Sequence, residues 1–406
     1  MHKKLLQINA FANTGSTGRI TEDIAKAAMA SGYESYIAYG RSNNGTSTNL
    51  IRIGNKFDVY YHGLYSRLFD RHGLASKRAT KKFIRQIEKI QPDIIHIHNL
   101  HGYFINYEIL FNYLNGINIP VVWTFHDCWP ITGHCAHFIS ANCSKWQIAC
   151  YSCPKMKYYP KSIFRDNSRN NYDKKKEIFS ACKNLTIVTP SDWLKNIIES
   201  SFLGNKKIIT INNGIDVNIF KPANPDEALR KYAIPEKKFI ILGVANIWTN
   251  AKGFQDFVLL SKCIDCSCII VLVGLNKQRQ KGLPKNIIGI SRTENMKELA
   301  QVYSMADIFI NPTWADNFPT TNMEALACGT PVITYNTGGS PEIISDATGF
   351  VIEKGNVTGL KRAIDKVKEL GKDYFPEKCR QRAIELYNKE YRYDEYLALY
   401  NSLLKS

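Results

Sequence analysis

Short apolar segments alternate with amphipathic, helix-like segments along the whole chain. The apolar segments are rich in Ile and Val, as buried strands are, and the segments between them have the apolar spacing of helices. This alternation is typical of parallel sheets covered by helices. The predicted strands are residues 4–9, 35–40, 93–99, 120–126 and 184–191, and then residues 238–246, 268–274, 287–291, 306–313 and 330–336.

The strands fall into two series, separated by a linker that contains two prolines. We therefore predict an α/β fold of two Rossmann-like, doubly wound domains, at residues 1–205 and 206–380. A last amphipathic helix, within residues 381–406, is expected to pack across the domain junction. A cysteine-rich loop insertion in the first domain is expected at about residues 127–175, because this stretch lacks both periodicities.

The 406-residue chain is 44% hydrophobic and 22% charged, which favours folded cores over disorder. No apolar run approaches the ~20 residues that a membrane-spanning helix needs. The apolar stretch at the start is short for a signal sequence, so we expect a cytoplasmic protein with reduced cysteines. The net charge of +17 indicates either an anionic partner or a charge that serves solubility.

Two acidic residues in the second half are candidates for ligand binding. Asp316 lies in the loop after a predicted strand, and Glu324 lies in the first turns of the next helix. A helix N-terminus favours phosphate, and a carboxylate just inside it can bond ribose hydroxyls. Taken alone, the two carboxylates are more simply explained as a turn residue and a helix-surface residue. A glycine turn at residues 337–341, after the next strand, adds a second phosphate-sized loop.

The stretch from Asp316 to Glu324 and beyond reads D-N-F-P-x-x-x-x-E-A-L-A-C-G-T-P-V-I. It resembles the E-x7-E signature of family-4 glycosyltransferases, with Asp in the first acidic place. The resemblance implies two facing Rossmann-like domains (the GT-B type), a retaining mechanism and a nucleotide-sugar donor without a catalytic metal. It also implies that Glu324 binds the ribose and that Asp316 contacts donor-sugar hydroxyls. Backbone groups of Asn317 and Phe318 are then expected to approach the sugar and the diphosphate.

The stretch GVANIWTNAKGF is similar to the G-R-L-x-x-x-K-G motif of the same family, whose arginine and lysine bind the diphosphate. Lys252 matches the lysine, whereas Asn246 and Ile247 stand near the place of the arginine. A diphosphate carries more than one negative charge, so a second cation is expected. Arg292, in the loop after a later strand, is either that replacement or a plain surface arginine.

The first helix is preceded by the glycine-bearing loop NTGSTGR. Its glycines allow the backbone to approach a ligand, and a helix N-terminus attracts anions. Taken alone this signal is weak, but the family resemblance places the loop over the donor phosphates and the acceptor. The implied ligand-binding residues are Gly15, Ser16, Gly18 and Arg19.

His126 ends a predicted strand, where a lone histidine is more often structural. The resemblance places it at the donor sugar, where it helps to hold the transition state. The donor's own phosphate then removes the acceptor's proton, so His126 is not assigned as a general base. The implied catalytic set is His126, Lys252, Asp316 and Glu324, which act by electrostatic stabilisation.

Four cysteines after His126 have the spacing C-x7-C-x6-C-x2-C, and they are Cys135, Cys143, Cys150 and Cys153. This spacing is compatible with a structural zinc-thiolate site, with packed free thiols or with a redox pair. Similar cysteine-bearing loops occur in the family-4 subgroup that acts in colanic-acid-like and O-antigen assembly. Trp129 and Trp146 are expected either to stack on a sugar acceptor or to pack the loop.

Residues 62–90 combine aromatic and apolar side chains with eight Lys and Arg residues. Basic amphipathic helices of this kind lie in membrane interfaces, although a solvated helix packed on the first domain is as good an explanation. The sequence therefore predicts a retaining glycosyltransferase of the hexosyltransferase type that uses a UDP- or GDP-sugar. Its expected partners are a lipid-linked oligosaccharide of bacterial surface polysaccharide assembly and the inner face of the cytoplasmic membrane, without nucleic acid. The alternatives are a sugar-nucleotide epimerase of the same fold and a basic nucleic-acid-binding protein with a zinc module.

Overall fold

The computed structural model describes residues 2–235 and 237–405 and separates them into two compact units. The N-terminal unit contains the chain up to Asn212 together with the segment from Glu390 onward, and the C-terminal unit is Asn213–Lys389. The last helix of the chain therefore belongs to the N-terminal unit. In the part of the chain that the structure describes, no helix is both long and apolar enough to cross a membrane.

The strands, in chain order, are β1 (Lys4–Asn9), β2 (Glu34–Tyr39), β3 (Asn49–Arg52), β4 (Ile94–Ile97), β5 (Val121–Thr124), β6 (Leu185–Thr189), β7 (Lys207–Thr210), β8 (Phe239–Val244), β9 (Cys268–Val273), β10 (Ile287–Ile290), β11 (Ile308–Asn311), β12 (Val332–Tyr335) and β13 (Gly349–Ile352).

The helices are α1 (Gly15–Ala30), α2 (Lys56–Phe69), α3 (Lys77–Ile90), α4 (Tyr107–Leu114), α5 (Ser168–Ser180), α6 (Asp192–Glu199), α7 (Asp226–Lys231), α8 (Phe254–Leu260), α9 (Lys277–Gln280), α10 (Met296–Met305), α11 (Thr320–Ala327), α12 (Ser340–Ile343), α13 (Val357–Leu370), α14 (Pro376–Tyr387) and α15 (Lys389–Leu403). Short 3-10 helices occupy Trp129–Ile131, Ile139–Ala141, Lys145–Gln147, Asn250–Lys252 and Lys372–Tyr374.

The described residues of each unit form one parallel sheet. The seven strands of the N-terminal unit have the order β3-β2-β1-β4-β5-β6-β7, and the six strands of the C-terminal unit have the order β10-β9-β8-β11-β12-β13. In each sheet the strand order reverses beside the first strand, and ligands of such sheets bind at the carboxyl ends of the strands at this point. The predicted α/β class with two doubly wound sheets is therefore confirmed.

The central strands are apolar on both faces because helices cover both sides of each sheet. All six residues of β9 are buried, as are all five of β6. In the N-terminal unit, Trp123 of β5 packs between Phe111 of α4 and Phe179 of α5, with ring centroids 5.2 and 4.9 Å away. These contacts fix the end of β5, from which the residues of the candidate site follow.

Three strands, β3, β7 and β13, were absent from the sequence prediction. Each is four residues long and ends the order of its sheet at an edge, where one side lacks a neighbouring strand. In β3 only Ile51 is buried. A strand so short and exposed produces no apolar run, which explains why the pattern did not reveal it.

The basic stretch at residues 62–90 forms two helices rather than one. α2 begins with a reciprocal capping box between Asn55 and Asp58 and ends at Asp70, which has a left-handed backbone. α3 buries Thr80, Phe83 and Ile87, so this helix packs on the N-terminal unit, as one of the two interpretations proposed. α2 buries only His62 and Ser66 among its residues and leaves its aromatic side chains on the surface.

Candidate functional site

The C-terminal unit brings Lys252 and Asp316 together. Lys252 Nζ lies 2.6 Å from Asp316 Oδ2, although the two residues are 64 positions apart in the chain. Lys252 follows β8 and Asp316 follows β11, which are adjacent strands, so both residues lie at the carboxyl ends where the strand order reverses. The lysine side chain is 42% exposed and the aspartate side chain 21%, so solvent and ligands can reach the pair.

The loop that carries Lys252 is held by local hydrogen bonds and by a close backbone contact. Lys252 N donates to the Thr249 side chain and carbonyl, and Trp314 N donates to Ala251 O at 2.9 Å. Gly253 has a φ of +77°, and a Cβ there would lie 2.3 Å from the carbonyl oxygen of Pro312. Only glycine permits this approach, so the loop after β8 is fixed against the loop after β11.

A buried tyrosine, Tyr303, hydrogen-bonds the carboxylate of Glu324. Tyr303 of α10 donates its hydroxyl to Glu324 Oε2 at 2.9 Å. Burial, followed by the Glu324 charge, raises the pKa of Tyr303 well above its ordinary value, so the hydroxyl stays a donor. Glu324 is half-buried in the first turns of α11, and its assignment to ribose hydroxyls stays a prediction.

Asn317 and Phe318 are buried, and their backbone groups bond within the C-terminal unit. Asn317 N donates to Asp316 Oδ1 at 2.8 Å, and Asn317 O accepts from Gly339 N at 2.9 Å. Phe318 O accepts from the Asn213 side chain at 3.2 Å. These bonds join the loop after β11 to the glycine turn after β12, which orders both loops at one end of the sheet.

Arg292 lies on the exposed loop after β10, whereas Lys252 follows β8. Its assignment to the diphosphate stays a prediction. Ile247, at the place of the family's arginine, is 69% exposed, so this part of the loop after β8 presents an apolar side chain to solvent.

The glycine loop of the N-terminal unit opens α1. Gly15 has a φ of +68° and starts the helix, and the N-cap residue Thr14 makes no side-chain cap bond. Ser16 and Arg19 are exposed, whereas Gly18 is packed against Phe11. A ligand phosphate can therefore approach the first amides of α1, and the assignment of this loop to the donor phosphates stays a prediction.

His126 follows β5 and lies against His98, which follows β4. His126 Nε2 is 3.1 Å from His98 Nδ1, the rings stack at 5.4 Å, and His98 Nε2 is 3.0 Å from Gln7 Oε1. The Gln7 amide nitrogen donates to Thr21 O, so the Gln7 oxygen accepts from His98 Nε2. In the neutral His98 ring, Nδ1 then accepts from His126 Nε2. Burial lowers the pKa of His126 to about 4, although the nearby Asp127 carboxylate acts to raise it. The ring is therefore neutral at pH 7. Its Nδ1 is then a hydrogen-bond acceptor.

A second contact at this edge was not assigned from the sequence. His101 Nε2 lies 2.7 Å from Asp127 Oδ2, and His101 Nδ1 lies 3.1 Å from the hydroxyl of Tyr159. Asp127 Oδ1 accepts from Trp129 N at 2.9 Å. Burial alone raises the pKa of Asp127, but the His101 ring and these bonds lower it to about 2, so the carboxylate is ionised. The only sequence signal was that both residues follow predicted strands.

The four predicted zinc ligands lie in the cysteine segment, residues 127–167. Among the described residues, no group of three or more His, Cys, Asp or Glu side chains is placed to hold a metal ion. Cys135 and Cys153 share a side-chain hydrogen bond, and burial raises the pKa of the Cys150 thiol to about 11. These contacts fit packed thiols, which was the second interpretation of the spacing. The fourth predicted ligand, Cys143, also packs against the hydrophobic core of the N-terminal unit.

The segment is held by buried aromatic rings and by charged groups. Trp129 and Trp146 are 1% and 4% exposed, so they pack the segment and do not offer stacking faces to a sugar. Lys175, which is fully buried, donates to the carbonyls of Trp129 and Thr132 at 2.7 and 2.9 Å. His134 Nδ1 lies 2.5 Å from Asp70 Oδ1. These contacts between distant parts of the sequence hold the cysteine segment on the N-terminal unit.

The family models identify the chain as a glycosyltransferase. The chain belongs to glycosyltransferase family 4: the model described as Glycosyltransferase Family 4 matches residues 17–219, half of the chain, and the model described as Glycosyl transferases group 1 matches residues 224–386. The predicted family is therefore confirmed.

Among curated proteins, the chain is 22% identical over 98% of its length to WcaC of Escherichia coli (strain K12), all of which is covered. WcaC is assigned as a colanic acid biosynthesis glycosyl transferase. The chain is also 24% identical, over 54% of its length and 62% of the relative, to the capsular polysaccharide biosynthesis glycosyltransferase CapM of Staphylococcus aureus.

Solved structures share the fold at low identity. A glycosyltransferase from Rickettsia africae ESF-5 matches with a TM-score of 0.69 and 19% identity, covering 100% of this chain and 99% of that chain. Anabaena HepE in complex with UDP matches with a TM-score of 0.68 and 13% identity, covering 98% and 100%. Such identities establish the shared fold.

Proposed function

We propose that the protein is a retaining glycosyltransferase of the hexosyltransferase type, which transfers a sugar from a UDP- or GDP-sugar to a lipid-linked oligosaccharide in bacterial surface polysaccharide assembly. The observation that carries the proposal is the contact of Lys252 with Asp316 at the carboxyl ends of β8 and β11, with Glu324 in the first turns of α11, in a family-4 chain. The names of WcaC and CapM support polysaccharide assembly, and the UDP complex of HepE supports a nucleotide donor.

In the proposed reaction the C-terminal unit holds the donor. Lys252 exchanges its Asp316 partner for the diphosphate, which leaves with increasing negative charge as the bond to the sugar breaks. Asp316 is then available to donor-sugar hydroxyls. Glu324, held by Tyr303, accepts hydrogen bonds from the ribose hydroxyls. The amides at the start of α11 and in the glycine turn add donors for the phosphates.

The N-terminal unit contributes His126 and the acceptor groups. Because neutral His126 presents Nδ1 as an acceptor, it can bind a donor-sugar hydroxyl, and it does not supply a positive charge. A departing phosphate oxygen of the donor takes the proton of the attacking acceptor hydroxyl on the same face of the sugar. The bond to the acceptor therefore forms on the face from which the diphosphate leaves, and the anomeric configuration is retained.

We expect replacement of Lys252 by alanine to weaken binding of UDP or GDP by about 10- to 100-fold, since a hydrogen bond to a charged group contributes about 1.5–3 kcal/mol. Isothermal titration calorimetry on the variant measures this loss. The matched control is Lys366→Ala, because Lys366 is also an exposed lysine in an ion pair, with Glu369 on α13. Equal affinities for wild type and Lys252→Ala would remove the diphosphate assignment.

The function itself is tested with purified protein, a panel of UDP- and GDP-sugars, and lipid-linked saccharides extracted from bacterial membranes. The proposal predicts release of nucleoside diphosphate that depends on the extract, and a product whose new bond keeps the donor's anomeric configuration by NMR. Conversion of the nucleotide sugar to its epimer without any acceptor would instead establish the epimerase alternative. An inverted anomeric configuration would contradict the retaining mechanism.

A surface of α2 supports the proposed association with the inner face of the cytoplasmic membrane. Phe57, Tyr60, Tyr61 and Leu64 are spaced i, i+3, i+4 and i+7, and the first two are 84% and 74% exposed. This spacing places them on one face of the helix, where an unburied apolar stripe costs free energy in water. Phe164 of the cysteine segment is a further exposed aromatic residue, at 76%.

The neighbouring segments add positive charge to the stripe. Ile163 N donates to Arg67 O at 2.8 Å, which joins the end of the cysteine segment to α2, and Arg165 lies 5.7 Å from the Phe69 ring. The outer side of α3 adds exposed Lys and Arg residues, namely Lys77, Arg78, Lys81, Lys82, Arg85 and Lys89. Aromatic groups surrounded by cations suit an anionic lipid surface.

The double variant Phe57→Ser, Tyr60→Ser is expected to bind vesicles of phosphatidylethanolamine and phosphatidylglycerol at least about tenfold more weakly, because burying one such side chain contributes about 1.5–3 kcal/mol. Co-sedimentation measures the change. Tyr391→Ser, which removes an exposed aromatic residue of α15, is the control and should bind as the wild type does. Wild-type binding that is absent, or that the double variant retains in full, would reject the membrane surface.

A further inference from the structure

Three side chains of the N-terminal unit form a continuous hydrogen-bonded chain from a buried carboxylate to the surface. Asp127 is bonded by His101, and His101 is bonded by Tyr159 of the cysteine segment. The His101 and Asp127 side chains are 12% and 10% exposed, whereas Tyr159 is 46% exposed. The hydrogen-bonded chain therefore begins at Asp127, next to His126, and ends at the partly exposed ring of Tyr159.

The ionised carboxylate fixes the direction of the first hydrogen bond. Asp127 can only accept, so His101 Nε2 donates to it, and His101 Nδ1 shares a second hydrogen bond with the Tyr159 hydroxyl. Whichever of the two groups donates in that second bond, the hydroxyl keeps at least one acceptor position for a ligand hydroxyl.

His72 gives an independent indication that a polar ligand or water belongs at this cluster. Its ring is 4% exposed, and neither of its nitrogens has a hydrogen-bond partner among the described residues. The ring centroid lies 4.9 Å from Tyr103, 5.6 Å from Tyr159 and 6.1 Å from His101. A buried polar group without a partner costs about 1–3 kcal/mol, so native structures rarely leave one unsatisfied.

The backbone after His101 is held in a conformation that costs free energy. Tyr103 is a non-glycine residue with a φ of +66°, and Gly102 has a φ of +140°. A Cβ on Gly102 would lie 2.8 Å from the Ala10 side chain. Strain of about 1–3 kcal/mol in such a residue persists at binding sites, where the fold fixes side chains for a ligand.

We propose that Asp127, His101 and Tyr159 form a carbohydrate subsite, in which the Tyr159 ring stacks on a sugar of the acceptor and its oxygen accepts a hydrogen bond from a hydroxyl of that sugar. The inference rests on the proposed function, since it gives the acceptor of that reaction a binding residue. His101 acts through Tyr159 and is a positioning residue. A ring face and a hydroxyl oxygen together suit a pyranose, which has both an apolar face and equatorial hydroxyls.

The test uses saturation-transfer difference NMR on the full chain with UDP or GDP present and with methyl glycosides of glucose, galactose, mannose, N-acetylglucosamine and fucose as probes. We expect at least one glycoside to be saturated by the wild type. Tyr159→Phe, which keeps the ring, should weaken its binding about 5- to 10-fold, and Tyr159→Ala should abolish the signal. His101→Gln, which can still donate to Asp127, should give an intermediate loss.

The matched control is Tyr33→Phe, which removes another tyrosine hydroxyl of the N-terminal unit, bonded to Asn401 at 3.0 Å. It should leave glycoside binding unchanged. If Tyr159→Phe lowers the melting temperature but leaves glycoside binding intact, the hydrogen bonds of Asp127, His101 and Tyr159 only stabilise the cysteine segment. The subsite is then rejected. Absence of any glycoside signal with the wild type also rejects it. Calorimetry with UDP and GDP on the same samples shows whether the donor site, and with it the proposed function, stands independently.

Discussion

Replacement of Glu324 by glutamine is expected to reduce sugar transfer by at least about a hundredfold while the protein stays folded. Glutamine has the same shape, but it carries no charge, and its amide nitrogen cannot accept from a hydroxyl. Each hydrogen bond to a charged acceptor contributes about 1.5–3 kcal/mol, and one to a neutral amide oxygen about 0.5–1.5 kcal/mol. Losing one bond to the ribose and weakening the other therefore removes about 3 kcal/mol or more, which corresponds to about a hundredfold. Calorimetric affinity for the nucleotide and the initial rate of nucleotide release are the two readouts.

Two further variants show whether the position or the charge of Glu324 matters. Tyr303→Phe keeps the carboxylate and removes the hydroxyl that holds it at 2.9 Å, so we expect a loss smaller than that of Glu324→Gln. Glu385→Gln neutralises an exposed glutamate of α14 in the same unit and should be silent. Full activity of Glu324→Gln would remove this residue from the donor site.

Replacement of Gly338 by alanine is expected to destabilise the C-terminal unit and to weaken nucleotide binding together. Gly338 has a φ of +58°, and a Cβ there would lie 1.8 Å from the carbonyl oxygen of Asp316. The left-handed conformation costs about 1–2 kcal/mol for a residue other than glycine. The overlap must be relieved by moving the Asp316 loop, which adds about 1–3 kcal/mol, as overpacking does. The moved loop also displaces the partner of Lys252.

Gly282→Ala separates these two effects. Gly282 has a φ of +82°, but an added Cβ meets no atom within 4 Å, so only the conformational cost of about 1–2 kcal/mol is expected. Urea denaturation of both variants measures the free energy of unfolding, and calorimetry measures the nucleotide affinity. If the two variants lost the same stability, the contact between the glycine turn and the Asp316 loop would not restrict this position.

The sequence predicted the central strands of both sheets because these strands are buried on both faces and produce continuous apolar runs. It missed β3, β7 and β13, which lie at sheet edges and are four residues long. It joined α2 and α3 into one basic segment, since the break at residues 70–76 depends on left-handed residues such as Asp70 and Ser76 that carry no strong local signal.

The candidate donor site was predictable only because the residues match a family motif. Lys252 and Asp316 are 64 positions apart, and nothing local indicates that they meet. The chain of Asp127, His101 and Tyr159 was missed for the same reason, since Tyr159 is 58 positions from His101 and comes from an irregular segment. The zinc assignment came from a cysteine spacing, which is a local signal, and it stays a prediction. The segment is held by contacts such as that of Lys175 with Trp129, 46 positions apart.

The most direct test of the central claim is a calorimetric titration of the purified chain with UDP, GDP and ADP. We predict saturable binding of UDP or GDP, and loss of that binding in Glu324→Gln. This result would establish the donor site in the C-terminal unit and would name the base of the donor. Absence of binding to all three nucleotides, together with tight, salt-dependent binding to oligonucleotides, would contradict the account and would favour nucleic acid as the partner of the basic surface.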